Sequence, residues 1–377
     1  MKTRGALLWG VDEPWSVDEI EIDDPRRDEV TVRLEAAGLC RSDHHLTTGA
    51  LPASGTPILG GHEGAGVVVA VGADVDDLAV GQHVVLACVP SCRQCSWCQA
   101  GHPNLCERAG SMHSGRSISD SSFRIRARGR DVSAVSLLGA FSPYAVVHRA
   151  SVVPVDAAVP FEVACLLGCA VATGWGAVTR SARVRPGDDV VVIGAGGVGM
   201  SAVLAAVVAG ARRIIVVEPL EWKRDRALKS GATHAYPDTS TAIMEVAALT
   251  GGFMAHRVIV AVGEPLGKDL DSWMILTGKG GRCVLASIAD TRSFDVTVHL
   301  ALQVLMQKRL QGIVNSGGDL RHDVALLAAM YRMGRLDLDG LVTRSYRLDD
   351  INDGFRDMLA GNVIRGVIRY TEDDWAL

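Results

Sequence analysis

Asp188-Asp189-Val190-Val191-Val192-Ile193-Gly194-Ala195-Gly196-Gly197-Val198-Gly199-Met200 is the stretch on which the reading of this chain turns. Asp189 to Ile193 is a short β-branched run, which predicts a buried parallel strand. The glycines that follow have the spacing G-x-G-x-x-G. In a strand–turn–helix, Gly194 allows the tight turn, Gly196 lets the backbone approach a pyrophosphate, and Gly199 lets helix and strand pack closely. Met200 to Ala209 is Ala-rich and apolar and predicts a helix, whose free N–H groups and positive dipole end suit phosphates. A second strand, Arg213 to Val217, ends at Glu218, where an acid binds both ribose hydroxyls and repels a 2′-phosphate. The expectation is a nicotinamide dinucleotide site, NAD rather than NADP, with Gly194, Gly196, Gly197, Val198, Gly199 and Glu218 on the coenzyme.

Outward from this turn, Val190 to Ala211 is 22 residues without a charge, long enough to cross a membrane. The glycine turn divides it into a strand and a helix, each too short to span, so no membrane crossing is expected. The α/β pattern begins near 170, where the composition shifts to Ala, Val and Gly. It continues through the helix-like Trp222–Ser230 and the strands Val258–Val262 and Gly281–Ala286, and ends near 313. Before it, Glu19-Ile20-Glu21-Ile22 and Val30-Thr31-Val32-Arg33-Leu34 alternate as antiparallel strands do. After it, Leu320–Met333, Ile351–Leu359 and Ile364–Tyr370 are expected to rejoin the first domain, and the acidic tail beyond Tyr370 to fray. The expected fold class is α/β: a β-rich domain at 1–170, a doubly wound parallel-sheet domain at 171–313, and a return to the first domain at 314–377.

Cys92, Cys95, Cys98 and Cys106 are separated by two, two and seven residues in a segment broken by Pro90, Gly101 and Pro103. Four thiolates this close predict a closed, structural zinc site in a lobe at about 88–110. A second cluster joins Cys40-Arg41-Ser42-Asp43-His44-His45 to Gly61-His62-Glu63-Gly64-Ala65-Gly66. A thiolate, an imidazole and a third soft ligand hold a catalytic zinc with one position open. Cys169 is the best candidate for that third ligand, although spacing alone does not choose it over Cys165 or Cys88. Residues Ser111 to Val132 interleave serines and glycines with Arg116, Arg124, Arg126, Arg128 and Arg130. They fit a substrate-mouth or subunit-contact loop and equally a solvated surface segment.

The chain has 377 residues, 48% of them hydrophobic and 21% charged, with net charge −5. There is material for two domains, and no basic tract that would engage nucleic acid. Nine cysteines and an N-terminus without a signal-peptide pattern point to metal or catalysis in a reducing, cytoplasmic setting.

Together these motifs resemble the zinc-dependent medium-chain alcohol dehydrogenases over essentially the whole chain. The resemblance implies a GroES-like first domain, a Rossmann coenzyme domain, an active site in the cleft between them, and homo-oligomers. It also implies Cys169 as the third ligand of the catalytic zinc, so two zinc ions per chain. Thr173 is implied beside the nicotinamide, Val262 on the coenzyme, Lys223 on the adenosine ribose, and Arg41 and Arg365 on the pyrophosphate. A narrower likeness is to the NDMA-dependent alcohol dehydrogenases of actinobacteria (NDMA is N,N-dimethyl-4-nitrosoaniline). It is carried by Glu218-Pro219-Leu220-Glu221-Trp222-Lys223-Arg224, Phe161-Glu162-Val163-Ala164-Cys165 and Ile364-Arg365-Gly366-Val367-Ile368-Arg369-Tyr370. It implies NAD(H) held without release and re-oxidised by an external carrier such as mycofactocin. Glu218 departs from the broader family, whose common members have Asp there.

The expected chemistry is oxidation of a small alcohol to an aldehyde, the metal lowering the hydroxyl pKa and the nicotinamide taking hydride. Ser42 can accept the proton and pass it through the ribose to His45. Asp43 is placed to orient His62, and Glu63 to approach the zinc during ligand exchange. One rival is a thiol-dependent formaldehyde dehydrogenase acting on an S-hydroxymethyl thiol such as that of mycothiol, anchored by an arginine between 116 and 130. A remoter rival is a non-catalytic nicotinamide-binding protein, which has no need of Cys40, Ser42, His45, His62 and Cys169 together.

Overall fold

The computed structural model describes residues 1–52, 55 and 57–376. The chain divides into two compact units, one formed by Met1–Cys169 with Gly318–Leu377 and the other by Ala170–Gly317.

In the first unit the strands Lys2–Leu8, Ser16–Ile22, Ile125–Ala127, Arg130–Ala134 and Ile58–Leu59 close into a small barrel. A seven-stranded sheet accompanies it, organised on the strand Glu29–Gly38. That strand pairs antiparallel with Gly64–Val71, Tyr144–His148 and the late strand Arg365–Arg369. It can do so because Val30, Val32, Leu34, Ala36 and Ala37 are fully buried, and only a strand covered on both faces uses so many small and β-branched residues. Trp15 anchors the core by stacking on Phe355 and meeting Phe141 edge-on, at 5.8 and 5.7 Å between centroids.

The second unit is a six-stranded parallel sheet in the order His234–Tyr236, Arg213–Val217, Asp189–Ile193, Ala255–Val260, Thr277–Leu285, Arg309–Gly312. Sequence order reverses at Asp189–Ile193, which has Arg213–Val217 on one side and Ala255–Val260 on the other. A ligand crevice opens at such a reversal, beyond the carboxyl ends of the strands, and the glycine turn leaves from that end. The uncharged run from Val190 is indeed split, into this strand and the helix Gly197–Val208. Among the described residues no single helix is long and apolar enough to cross a membrane.

Two expectations about the first unit are revised. The tail does not fray: Thr371 and Asp374 form a capping box for the helix Glu372–Trp375. The Trp375 indole N–H then donates to the Leu34 carbonyl at 3.0 Å beneath the Arg33 guanidinium. Nor is the Arg-rich stretch uniformly solvated. Arg124 is buried, its Nε 2.8 Å from the fully buried carboxylate of Glu29. Glu29 also accepts from the Arg26 N–H at 2.9 Å and from the hydroxyls of Ser117 and Ser119. Arg126, Arg128 and Arg130 are exposed or partly so, as a surface segment would be.

Burial raises the Glu29 pKa, but Arg124 and these hydrogen bonds more than offset it and hold it below the usual carboxylate range. The pair therefore contributes stability above the unfolded-state pKa that is lost as pH falls through the depressed folded value. Glu29→Ala removes the buried partner of the Arg124 guanidinium and leaves it only the half-exposed Asp120, and it is expected to cost about 2–4 kcal/mol in chemical denaturation at neutral pH. The difference from the unsubstituted protein should narrow in acid.

Candidate active site and metal centres

Cys40 ends the chain segment that enters the short helix Arg41–Thr47. Helical spacing then puts Ser42 beside the Cys40 thiol and buries Asp43 and His45. The Ser42 hydroxyl is 3.3 Å from the Cys40 sulfur and 3.3 Å from His62 Nε2. Asp43 accepts the Gly61 N–H at 3.1 Å and lies 3.1 Å from His62 Nδ1. With Nδ1–H donating to Asp43, Nε2 could turn its lone pair to a metal, the arrangement of a metal-ligating histidine. Gly61, at φ +89°, makes the left-handed turn that aims His62 inward, against Phe141, where a side chain has no room. Cys169 arrives after the helix Phe161–Leu167. At Gly168 a Cβ would strike the Leu86 carbonyl, so only glycine lets the chain bring Cys169 this close to the strand His83–Leu86.

The ligand atoms of Cys40, His62, Glu63 and Cys169 all lie within 4.8 Å of one another. Two sulfurs, an imidazole nitrogen and a carboxylate oxygen form the donor set of a tetrahedral zinc. The electrostatics agree. The Cys169 thiol hydrogen-bonds Cys40 and, despite burial, keeps it ionised well below the usual thiol range, assisted by His62. Cys169 is pushed up by Cys40, then by Cys88 and by burial. Burial works against the His62 cation, but Asp43 and the Cys40 thiolate more than offset it. Burial also raises Glu63 to about 7, against the pull of Arg365. A zinc ion held by these groups would stabilise the thiolates they bring together.

Arg365 is a feature that sequence reasoning did not place here. Its buried guanidinium forms an ion pair with Glu63 from 302 residues away, where the sequence expectation had put it on a pyrophosphate. Cys88, which spacing also allows as a ligand, lies outside the cluster, its thiol 3.7 Å from the Gly168 carbonyl.

The ligand atoms of Cys92, Cys95, Cys98 and Cys106 likewise fall within 4.8 Å. Cys95 and Cys106 sulfurs are 3.9 Å apart, close to the roughly 3.8 Å edge of a tetrahedron with Zn–S bonds near 2.3 Å. Backbone N–H groups of Glu107 and Cys98 lower Cys95 to about 6, whereas burial lifts Cys106 to about 12. Four thiolates coexist only around a metal, and no fifth position faces substrate.

In the second unit Gly194 has φ +93°, and a Cβ on Gly199 would collide with the Gly194 carbonyl. A Cβ on Gly196 would meet no atom of the chain, so packing gives no reason for glycine there. Gly197 and Val198 open the helix Gly197–Val208. Glu218 is buried, one carboxylate oxygen accepting from the Ala195 N–H at 2.8 Å and the other from Leu220 at 3.1 Å. Lys223 is buried, its ammonium disfavoured by burial and supported by Glu218. Thr173 is buried in the helix Ala170–Gly176, and Val262 follows the strand Ala255–Val260. Arg41 and His45 lie on the Cys40 helix, in the first unit.

A parallel-sheet dinucleotide fold in one unit and a thiol–imidazole–carboxylate metal cluster in the other define a zinc-dependent dehydrogenase. The comparisons agree. The family described as "Alcohol dehydrogenase GroES-like domain" matches residues 26–157, and "Zinc-binding dehydrogenase" matches residues 197–330. The chain is 57% identical over 374 residues to alcohol dehydrogenase B of Mycobacterium tuberculosis, covering 99% of this chain and 100% of that one. It is 40% identical to the NDMA-dependent alcohol dehydrogenase of Amycolatopsis methanolica, with 99% and 100% covered. It is 33% identical to the S-(hydroxymethyl)glutathione dehydrogenase of Komagataella pastoris, with 98% and 97% covered. A solved alcohol dehydrogenase zinc-binding domain protein from Burkholderia ambifaria superposes with a TM-score of 0.91 at 30% identity, covering 99% and 100%. The chain belongs to the zinc-dependent medium-chain alcohol dehydrogenases, and it is an NAD-linked oxidoreductase acting on small-molecule alcohols.

Cys95→Ser should lower the zinc content measured by mass spectrometry from two ions per chain to one and reduce Tm by at least about 5 °C. Gly199→Ala should destabilise by about 1–3 kcal/mol. Gly196→Val, in contrast, should leave Tm unchanged while raising the KM for NAD.

Proposed function

We propose that this enzyme oxidises an alcohol to an aldehyde with NAD(H) that it retains, an external carrier re-oxidising the coenzyme in place. The observation that carries the chemistry is the cluster of Cys40, His62, Glu63 and Cys169 with the Ser42 hydroxyl against it. When bound, zinc supplies Lewis-acid polarisation of the substrate hydroxyl, and NAD the hydride acceptor. Cys40, His62 and Cys169 hold the metal. Asp43 fixes the His62 ring through Nδ1. Glu63, at ligand distance and paired with Arg365, would approach the metal during ligand exchange, leaving the open position to the alcohol. Ser42 accepts the substrate proton at Oγ, and His45 carries it onward. Gly194, Gly196, Gly197, Val198, Gly199 and Glu218 bind the pyrophosphate and ribose, with Thr173, Val262, Lys223, Arg41 and Arg365 completing the coenzyme site. The domain limits of this reading are 1–170, 171–313 and 314–377.

Retention of NAD(H) rests on likeness to the Amycolatopsis methanolica enzyme and on the three phrases shared with that group. Nine free cysteines, six of them in two metal-type clusters, suit a reducing cytoplasm. A homo-oligomer is supported by an open sheet edge at Arg309–Gly312, whose residues are all exposed. Phe294, Val296, Leu300, Val304, Leu305 and Leu310, on the same part of the chain, are exposed as well. The resemblance to the Komagataella pastoris enzyme keeps a second reading, an S-hydroxymethyl-thiol substrate.

Acid denaturation after prolonged dialysis should release close to one NAD(H) per chain; release of almost none would overturn retention. Cys40→Ala should abolish alcohol oxidation with the fold intact, and full activity in that variant would remove the zinc mechanism. His45→Gln should lower kcat by roughly 10²-fold and flatten its dependence on pH near neutrality. Formaldehyde oxidation strictly dependent on added thiol would favour the second reading.

A further inference from the structure

The amino-terminal half of the second unit's sheet carries an arrangement that coenzyme binding does not explain. In the strand register Arg257 is paired with Arg282, and Arg282 with Arg309. Registered residues on parallel neighbours point to the same face, so three guanidinium side chains stand in one row across adjacent strands. With strands about 4.8 Å apart, the row spans about 10 Å. Like charges directly opposite one another are destabilising in a sheet. Arg183 and Arg185 add to them, each close enough to disfavour the Arg282 cation.

Nearby carboxylates neutralise only one member of the row, Arg257. Asp188 is committed to Arg257 at 3.2 Å and to the Arg185 N–H at 3.0 Å. Asp189 is held by Arg212 and Arg213. Among the described residues Arg183, Arg185, Arg282 and Arg309 form no ion pair. Part of the arrangement is structural: Arg282 donates to the Ser181 carbonyl at 3.2 Å and Arg257 to the Arg183 carbonyl at 3.4 Å, capping the helical turn Ala177–Ala182. That accounts for one donor on Arg282 and one on Arg257, which also donates to the His256 carbonyl at 2.9 Å and pairs with Asp188. A guanidinium has five donors, and capping explains neither Arg309 nor the arginines at 183 and 185.

We propose that the row Arg257–Arg282–Arg309, with Arg183 and Arg185, is a binding site for an oligophosphate, separate from the coenzyme's own pyrophosphate site at the opposite ends of the strands. Guanidinium forks match phosphate oxygens in pairs, and a linear triphosphate spreads its charge over a length comparable with the row. A monophosphate reaches only part of it. The chemistry is shared by inorganic tripolyphosphate and a nucleoside triphosphate.

The test is calorimetric titration of the zinc-loaded, NAD-saturated enzyme with tripolyphosphate, ATP and orthophosphate, beside chloride at equal ionic strength. Tripolyphosphate should bind saturably and orthophosphate at least tenfold more weakly. Equal affinity for ATP would show that the triphosphate alone is read, and tighter binding of ATP that a nucleoside is read as well. The double variant Arg282→Gln/Arg309→Gln, in which the shorter amide side chain keeps a donor for the Ser181 carbonyl, should lose at least tenfold in affinity. Its alcohol oxidation should be unchanged, and its Tm without ligand no lower. Arg212→Gln, outside the row, should bind as before. No saturable binding beyond that of chloride, or undiminished affinity in the double variant, would overturn the proposal.

Discussion

Two thiols, an imidazole and a carboxylate gathered within 4.8 Å and largely shut off from water cannot all take their favoured charge states without a cation among them. Much of the first unit is arranged around that constraint. Asp43 spends one oxygen on the Gly61 N–H and faces the His62 ring with it, so the turn and the ligand are fixed together. Gly168 lets Cys169 approach the sheet, and Arg365 balances Glu63. The four-cysteine lobe answers the same electrostatic problem differently. There the sulfurs come from one short segment and close around the metal, which leaves structure as the only thing that site can supply.

The division of labour follows from this contrast. The second unit presents backbone, through Gly194, Gly196 and the first turn of Gly197–Val208, and backbone N–H groups recognise phosphate without being titrated. The first unit presents side chains whose protonation states respond to one another. Glu218 belongs to the first kind. Both its oxygens are taken by N–H groups of the turns that it joins, so this acid shapes the coenzyme loop as well as offering itself to a ribose.

How much could be read beforehand depended on how local the cause was. The glycine turn, the strand before it and the four-cysteine lobe are set by neighbours within a few residues, and their spacing announced them. The pairing of Arg365 with Glu63 has no local signal, because it depends on the strand Arg365–Arg369 lying beside Glu29–Gly38. Arg124 illustrates the opposite error. Its neighbours are polar and suggest a solvated stretch, yet the unpaired charge of Glu29 within the first unit draws it inward. The tail looked frayed because its acids dominate its composition, whereas two of its residues, Thr371 and Trp375, dock it. Among the three cysteines that spacing allowed as a third ligand, only the folded chain puts Cys169 with Cys40 and His62.

The return of Gly318–Leu377 to the first unit imposes an order on biosynthesis. Ala170–Gly317 is continuous and can complete its sheet as soon as it leaves the ribosome, while the earlier segment still lacks a strand of its own sheet and the partner of Glu63. Arg365, the guanidinium that balances Glu63 in the metal cluster, is therefore among the last residues to be translated. A nascent chain interrupted before Arg365 carries every cysteine and histidine needed to capture zinc, but not the cation that restrains Glu63 beside it. Metal capture therefore does not wait for chain completion, whereas the ion pair that restrains Glu63 does.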